Sequence, residues 1–482
     1  MILGVDIGTS VTKAALIGRD GRSVRSASRP SELLRGPGGV VEQELDAVLA
    51  SVVSVVREVT AGQDQPLDAI ALTGQGDGLW LRDDLGRATR RPISWMDGRA
   101  ADRVERWRTD GVLDRVHALT GSGVFPGSHA ALLAHLGEHE PEVLARSAVA
   151  GYCIDAVLQR LTGVISVDAS DASLPFLDVR TRTYVDEALD ACGVLPWRGL
   201  LPEPAAPGRV FALSAGGSRL LGLPEGLPVT AGPYDVMACG IGAGAREPGQ
   251  GTVVVGTTLS CQALTQDTTI DPDGEPAGMW LCTPDPGTWL RTMPSMAGTA
   301  AIAHALSVVG AGTADLQRLL EESGPGASGV RALPFVSGAG ERAPFVEPRA
   351  TGQLLGVTLA NGPADLVRAM CESVAYAARH CLEAAGLDGE LSGCGGGLGT
   401  EAFAQLIADA TGRTLHVPHE EFVGARGAAA VAWAALGDPV DADAWAADRR
   451  AITPRQDLRD QYEAGYERYR ADVREARQRW SA

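Results

Sequence analysis

Lysine is all but missing from this sequence: of its 42 lysine and arginine residues, only Lys13 is lysine. No Gly-x-x-x-x-Gly-Lys-Ser/Thr stretch occurs, so a P-loop is excluded. The eight cysteines contain no Cys-x-x-Cys pair. That argues against a zinc site or a disulfide framework and for thiols kept reduced. His416 with His419, and His135 with His139, lack Cys or acidic companions at metal-site spacing. No apolar run approaches about 18 residues, so no membrane span is expected. The start, "MILGVDIGTS", lacks the basic region and cleavage site of a signal peptide, and a cytoplasmic location is expected. Positive charge is outweighed, with a formal net charge of -18. That balance opposes nucleic-acid and acidic-membrane partners.

What is present is glycine, 60 residues of it, in a chain of 482. That length exceeds what one hydrophobic core usually serves, so two large domains are expected. "ILGVD" and "VTKAALI" read as strands around a tight turn, and "RDGR" as a second turn. Leu45, Val48, Leu49, Val52, Val55 and Val56 recur on one helical face. "DAIALTGQGDGLWL" reads as a strand running into a glycine-rich loop. The mixture is that of an α/β domain. Past Gly232 the pattern restarts: "GQGTVVVGTTLSCQAL" echoes "ILGVDIGTSVTKAALI". Two strand–Gly-Thr–strand units suggest a duplicated domain, each half supplying one phosphate-facing turn; chance similarity of two hairpins is the other reading. Tyr462, Tyr466, Tyr469, Val473, Ala476 and Trp480 mark one long amphipathic helix at the end of the chain, read as a packing helix.

Gly8, Thr9 and Ser10 offer backbone N–H groups and hydroxyls at a turn able to hold phosphate oxygens. Asp6 would repel a phosphate unless a divalent cation lay between them, so its pairing with this turn points to Mg²⁺-nucleotide. Lys13, on the outgoing strand, can point back at the same turn. A compact ammonium on a flexible stem suits a moving phosphoryl group better than a planar guanidinium. Its survival in an arginine-biased composition is the bland alternative. "GCGGGLGT" at 393–400 opens a helix and could place backbone against a nucleotide, or could be only a tight turn. Asp235, in "VTAGPYDVMACGIGAG", reads as a catalytic carboxylate able to accept a hydroxyl proton, and taken alone also reads as a helix N-cap.

Together these stretches resemble the FGGY family of carbohydrate kinases over nearly the whole chain. "GVDIGTSVTKAAL" resembles the first phosphate turn, and "ISWMDGRA" the Trp-x-Asp-x-Arg sugar-side segment with Trp95, Asp97 and Arg99. "AGPYDV" lies where the catalytic Asp is expected, and "VVVGTTLS" resembles the second phosphate turn. "SMAGTAA" resembles the nucleotide-side helix start at Gly298. "CGGGLGTEAFAQLIADATGRTL" followed by "GARGAAAVAWAALG" is similar to the adenosine-binding block. The resemblance implies two actin-like (ribonuclease-H-like) ATPase domains with a catalytic cleft between them, set at 1–242 and 243–482.

It further implies an ATP- and Mg²⁺-dependent transfer to a terminal hydroxyl of a sugar or polyol. Asp235 would be the base. Gln75, Gly76, Asp77, Trp95, Asp97, Arg99 and Tyr234 would form the substrate side. Thr9, Ser10, Lys13, Gly256, Thr257, Thr258, Gly298, Gly396, Gly397 and Thr400 would bind nucleotide, with Mg²⁺ near Asp6. Asp77 and Asp97 can each accept two hydroxyl protons and Gln75 can both donate and accept. Trp95 can cover a carbon backbone, and Gly76 would leave space for substrate. A turn role for Asp77 is the alternative. "TGQGDGLWL" and "AGERAPFV" resemble erythritol kinases; "YDV" is near the Phe-Asp-Val of L-xylulose kinases. A tetritol is therefore expected ahead of L-xylulose or D-xylulose. A non-catalytic actin-like ATP-binding protein or sugar sensor is the remote alternative, since it would have no reason to keep Asp235 or the 95–99 segment. Small-molecule partners are expected, and a homodimer is left open.

Overall fold

Side chains alternate across a strand, and in Ile2–Ile7 (β1) both faces carry buried apolar residues. Leu3, Val5 and Ile7 enter one core cluster with the buried stripe of the helix Leu45–Thr60. Ile2 enters another, shared with Ala425, Ala428, Ala429 and Ala432 of the helix Val423–Ala435. Burial on both sides is what fixes β1 at the middle of a sheet. The computed structural model describes residues 1–63, 65–271 and 274–481. It divides into two compact units: Met1–Gly244, Gln266–Leu290 and Glu420–Ala447 form the first, and Ala245–Thr265, Arg291–His419 and Asp448–Ala482 the second.

In the first unit β1 pairs antiparallel with Val11–Ile17 (β2), which pairs with Ser23–Pro30 (β3). The "RDGR" turn joins β2 to β3, with Gly21 at φ 77°. On its other edge β1 pairs parallel with Ala69–Gly74 (β4). Phe211–Ala212 (β5) and Pro228–Ala231 (β6) complete a six-stranded sheet ordered β5-β6-β4-β1-β2-β3. Every stripe residue expected on the first helix is buried, and Val59 joins them.

The second unit repeats the opening motif. Gly251–Val255 (β7) pairs antiparallel with Leu259–Thr265 (β8) and parallel with Leu391–Cys394 (β9). Leu415–Pro418 (β10) and Arg449–Ile452 (β11) continue from β9. Tyr462, Tyr466, Tyr469, Val473, Ala476 and Trp480 of the helix Arg459–Ser481 are all buried in this unit's core. The amphipathic stripe is therefore a packing face.

The two units differ from a simple division near residue 242. Gln266–Leu290 and Glu420–Ala447 lie in the first unit, although the sequence reading placed both in the second half. For the later segment the cause is the alanine face of Val423–Ala435, which covers β1 and β4 through Ala69 and Ala71. All eight cysteines are free. Among the described residues no single helix is long and apolar enough to cross a membrane.

Candidate active site

Asp6 and Lys13 are register partners across β1 and β2. The 8–10 turn between these strands is closed by the Gly8 N–H, which donates to the Val11 carbonyl at 3.2 Å. Ser31 Oγ donates to the Gly8 carbonyl at 3.0 Å and steadies the turn from behind. Lys13 forms no hydrogen bond or ion pair among the described residues, so its ammonium is uncommitted. Burial pushes the Asp6 carboxyl up to about 6, against the opposing pull of Lys13. A Cβ built on Gly424 would stand 2.8 Å from Asp6 Oδ2, so the glycine lets the helix Val423–Ala435 start directly against the carboxylate. The stretch "GARGAAAVAWAALG", which the resemblance groups with the adenosine-binding block, packs beside Asp6 in the first unit.

Asp235 is the first residue of the helix Asp235–Ala243, with Tyr234 as N-cap. It is therefore not the N-cap residue that its sequence context also allowed. It is half-buried, and burial followed by the charge of Asp6 pushes its carboxyl well above the usual carboxylate range. A buried carboxyl raised further by a neighbouring carboxylate marks a place where positive charge or a proton is favoured.

The sugar loop follows β4. Asp77 is buried at 4% exposure and holds φ 53°, a left-handed conformation that Asp tolerates better than most residues. Gly76 does not leave open space, contrary to expectation. A Cβ there would lie 2.7 Å from the Tyr234 ring and 2.8 Å from Asp171 Oδ1; the protein itself occupies that volume. Gln75 is 2% exposed and committed at both ends. Its Oε1 accepts from Thr9 Oγ1 at 3.0 Å and its Nε2 donates to Gln43 Oε1 at 2.9 Å. Trp95 Nε1 donates to the same Thr9 oxygen at 2.8 Å. The Thr9 hydroxyl thus ties Gln75 and Trp95 to the 8–10 turn.

Asp97 also departs from its expected role. Its Oδ2 accepts from the Val41 N–H at 2.6 Å and from Arg99 Nη2 at 2.9 Å, while Oδ1 accepts from the Arg99 N–H and Nε. With four protein donors it has no capacity for substrate hydroxyls. Arg99 is further held by Glu42 Oε1 at 2.7 Å. Asp97 and Arg99 of the Trp95–Asp97–Arg99 pattern therefore form a brace. Gln43, Ser170, Asp171 and Gly424 complete this region and were not singled out from the sequence. They lie 32 or more residues from their partners, and no local spacing announces them.

In the second unit the 256–258 turn is closed by the Gly256 N–H donating to the Thr258 carbonyl at 3.1 Å. Thr299 N–H and Oγ1 both donate to the Gly256 carbonyl at 2.9 Å, and Ala300 N–H donates to that of Thr257. The helix Thr299–Val308 thus begins on the turn. A Cβ on Gly298 would fall 2.5 Å from the Thr257 carbonyl oxygen, so only glycine permits this approach. Glu341, buried, holds the chain just before it, accepting from Ser295 Oγ at 3.0 Å and the Met296 N–H at 2.9 Å. A Cβ on Gly397 would lie 2.4 Å from Val255 Cγ1 and 2.8 Å from Thr299 Cγ2, whereas Gly396 faces open space. Thr400 caps the helix Glu401–Thr411 without using its side chain. The glycine-rich 395–399 segment, the 256–258 turn and Gly298 thus converge within one unit.

The chain is similar to known carbohydrate kinases over most of its length. An erythritol kinase from Brucella abortus is 32% identical over 457 residues, covering 91% of this chain and 88% of that protein. A xylulose kinase from Escherichia coli is 29% identical, covering 86% of each. The solved structure of a xylulose kinase from Rhodospirillum rubrum matches with a TM-score of 0.88 at 27% identity, over 100% of this chain and 99% of that one. The N-terminal domain of the FGGY family of carbohydrate kinases matches residues 1–242 and its C-terminal domain residues 251–436. This chain therefore belongs to the FGGY family of carbohydrate kinases.

Proposed function

We propose that the chain transfers the terminal phosphoryl group of ATP to a terminal hydroxyl of a short polyol or ketose, with a tetritol such as erythritol ahead of L-xylulose or D-xylulose. The observation that carries this reading is the placement of Asp235, at a helix start beside Asp6, next to Tyr234, whose ring packs on the sugar loop at Gly76. The likeness to an erythritol kinase over 91% of the chain supports the tetritol.

Asp235 would orient the acceptor hydroxyl and take its proton as that oxygen attacks the terminal phosphorus. The bond from phosphorus to the bridging oxygen breaks, and ADP carries that oxygen away. Lys13 and the N–H groups of Thr9 and Ser10 would steady the phosphate oxygens in the first unit. In the second unit the 256–258 turn would receive phosphate, and Gly396, Gly397 and Thr400 the adenosine. The buried Asp6 carboxyl, with Asp235 close enough to feel its charge, fits Mg²⁺, which takes one or two carboxylates and completes its shell with water and phosphate oxygens. Asp6 would hold it, and the ion would supply positive charge against the carboxylates and phosphates.

A coupled ADP-release assay over tetritols, pentitols, ketopentoses and glycerol tests this function. The highest kcat/KM should fall on a tetritol. A preference for D-xylulose over every tetritol would overturn the substrate choice, and no turnover on any member would overturn the reading itself.

A further inference from the structure

The stretch "VDASDAS" at 167–173 carries no motif, yet it folds against both reactive loops of the first unit. Asp168 caps the short helical turn Ala169–Ala172, accepting from the Ser170 N–H at 2.9 Å. Ser170 Oγ donates to Asp168 and accepts the Tyr234 N–H at 2.9 Å. Asp168 also lies over the start of the Asp235 turn, where a Cβ on Gly232 would fall 2.4 Å from its Cγ. One turn thus holds the Asp235 loop through Asp168 and Ser170 and reaches the sugar loop through Asp171.

Other buried carboxylates nearby are committed. Asp155 pairs with Arg82 at 2.8 Å and accepts the Tyr152 N–H at 2.6 Å. Asp97 is filled by Arg99 and Val41. Asp171 is 1% exposed, its Oδ1 is sealed off without a partner, and neither oxygen accepts a hydrogen bond within the described residues. A buried polar group left so is destabilising, and such groups mark missing partners. Burial, then the charges of Asp168, Asp155, Asp235 and Asp77, push its carboxyl well above the usual range. A carboxyl that keeps its proton both donates and accepts.

We propose that Asp171 is a specificity residue that hydrogen-bonds a hydroxyl of the acceptor carbohydrate beside Gly76 and Tyr234. It reads the acceptor's hydroxyl pattern and takes no part in phosphoryl transfer. This inference rests on the acceptor class proposed above. An isosteric amide can replace a neutral carboxyl, whereas an apolar side chain cannot.

The test measures kcat, acceptor KM and ATP KM for the wild type, Asp171→Asn, Asp171→Ala and Asp171→Leu, with the best acceptor and its singly deoxygenated analogues. Asp171→Ala and Asp171→Leu should raise acceptor KM at least about tenfold, leaving ATP KM within twofold. Asp171→Asn should stay within about threefold. One deoxygenated analogue should cost the wild type a similar factor and the Asp171→Ala enzyme nothing further. Acceptor KM unchanged in Asp171→Ala, every deoxygenated analogue losing equally in wild type and variant, or acceptor and ATP KM rising together would overturn the proposal and leave the kinase reading intact. A wild type that phosphorylates no carbohydrate would overturn both.

Discussion

At the 8–10 turn a glycine N–H closes on the Val11 carbonyl at 3.2 Å, and at the 256–258 turn a glycine N–H closes on the Thr258 carbonyl at 3.1 Å. Each turn joins an antiparallel pair whose first strand also pairs parallel with a third, β4 or β9. Each third strand runs into a glycine-rich loop. The side chains behind the turns differ. In the first unit Asp6 faces Lys13 across the ladder; the corresponding pair in the second is Val254 and Ser260. The same backbone device is therefore charged in one unit and neutral in the other. Backbone N–H groups alone suffice to cradle a phosphate, whereas a phosphoryl group in motion calls for mobile positive charge and a proton acceptor. Under the proposed function, the first turn would serve transfer and the second would hold phosphate.

That contrast can be broken in each unit separately. Asp235→Asn should lower kcat by at least about 10²-fold while ATP KM moves less than twofold; a variant keeping most of its turnover would remove the base from the first unit. Asp6→Asn should lower kcat by about tenfold or more and yet stabilise the ligand-free protein. The Asp6 carboxyl, at about 6 instead of the ordinary 3.8, binds more protons folded than unfolded between those values. Stability contributed by this group is thus greatest below about pH 4, falls up to about pH 6 and stays low above it. The asparagine variant should gain at most about 3 kcal/mol over wild type in urea unfolding at pH 7, and nothing at pH 3.5. An equal gain at both values would remove the charge argument. Gly298→Ala, which drives a Cβ onto the Thr257 carbonyl, should raise ATP KM by about tenfold with kcat within about threefold. A kcat loss as large as that of Asp235→Asn would assign chemistry to the second turn as well.

Local pattern made much of this molecule legible. The apolar run of β1, the stripe of Leu45–Thr60 and the repeat of strand–Gly-Thr–strand each follow from local pattern within about 20 residues. Composition alone isolated Lys13, and the structure sets it opposite Asp6 across β1 and β2. Partner choice was not legible. Asp97 looked like a hydroxyl acceptor until Val41, 56 positions away, and Arg99 were seen to fill it. The sequence reads Gly76 as room for substrate, whereas Tyr234 and Asp171 fill that room. The 420–447 segment followed its alanine face to β1 and not its neighbours in the chain. These outcomes depend on long-range packing, which periodicity does not encode.

The single lysine gives the most direct test of the claim that phosphoryl transfer is served at the 8–10 turn. An amine-directed reagent has only Lys13 and the N-terminal amine to attack, and the latter pairs with Asp68 at 2.7 Å. Modification of both amines is followed by peptide mass analysis with and without saturating Mg-ATP. Mg-ATP should slow labelling of Lys13 by about tenfold and leave that of Met1 unchanged, and Lys13→Arg should lower kcat several-fold although the charge is kept. Equal labelling of Lys13 with and without nucleotide, together with a fully active Lys13→Arg enzyme, would contradict the account.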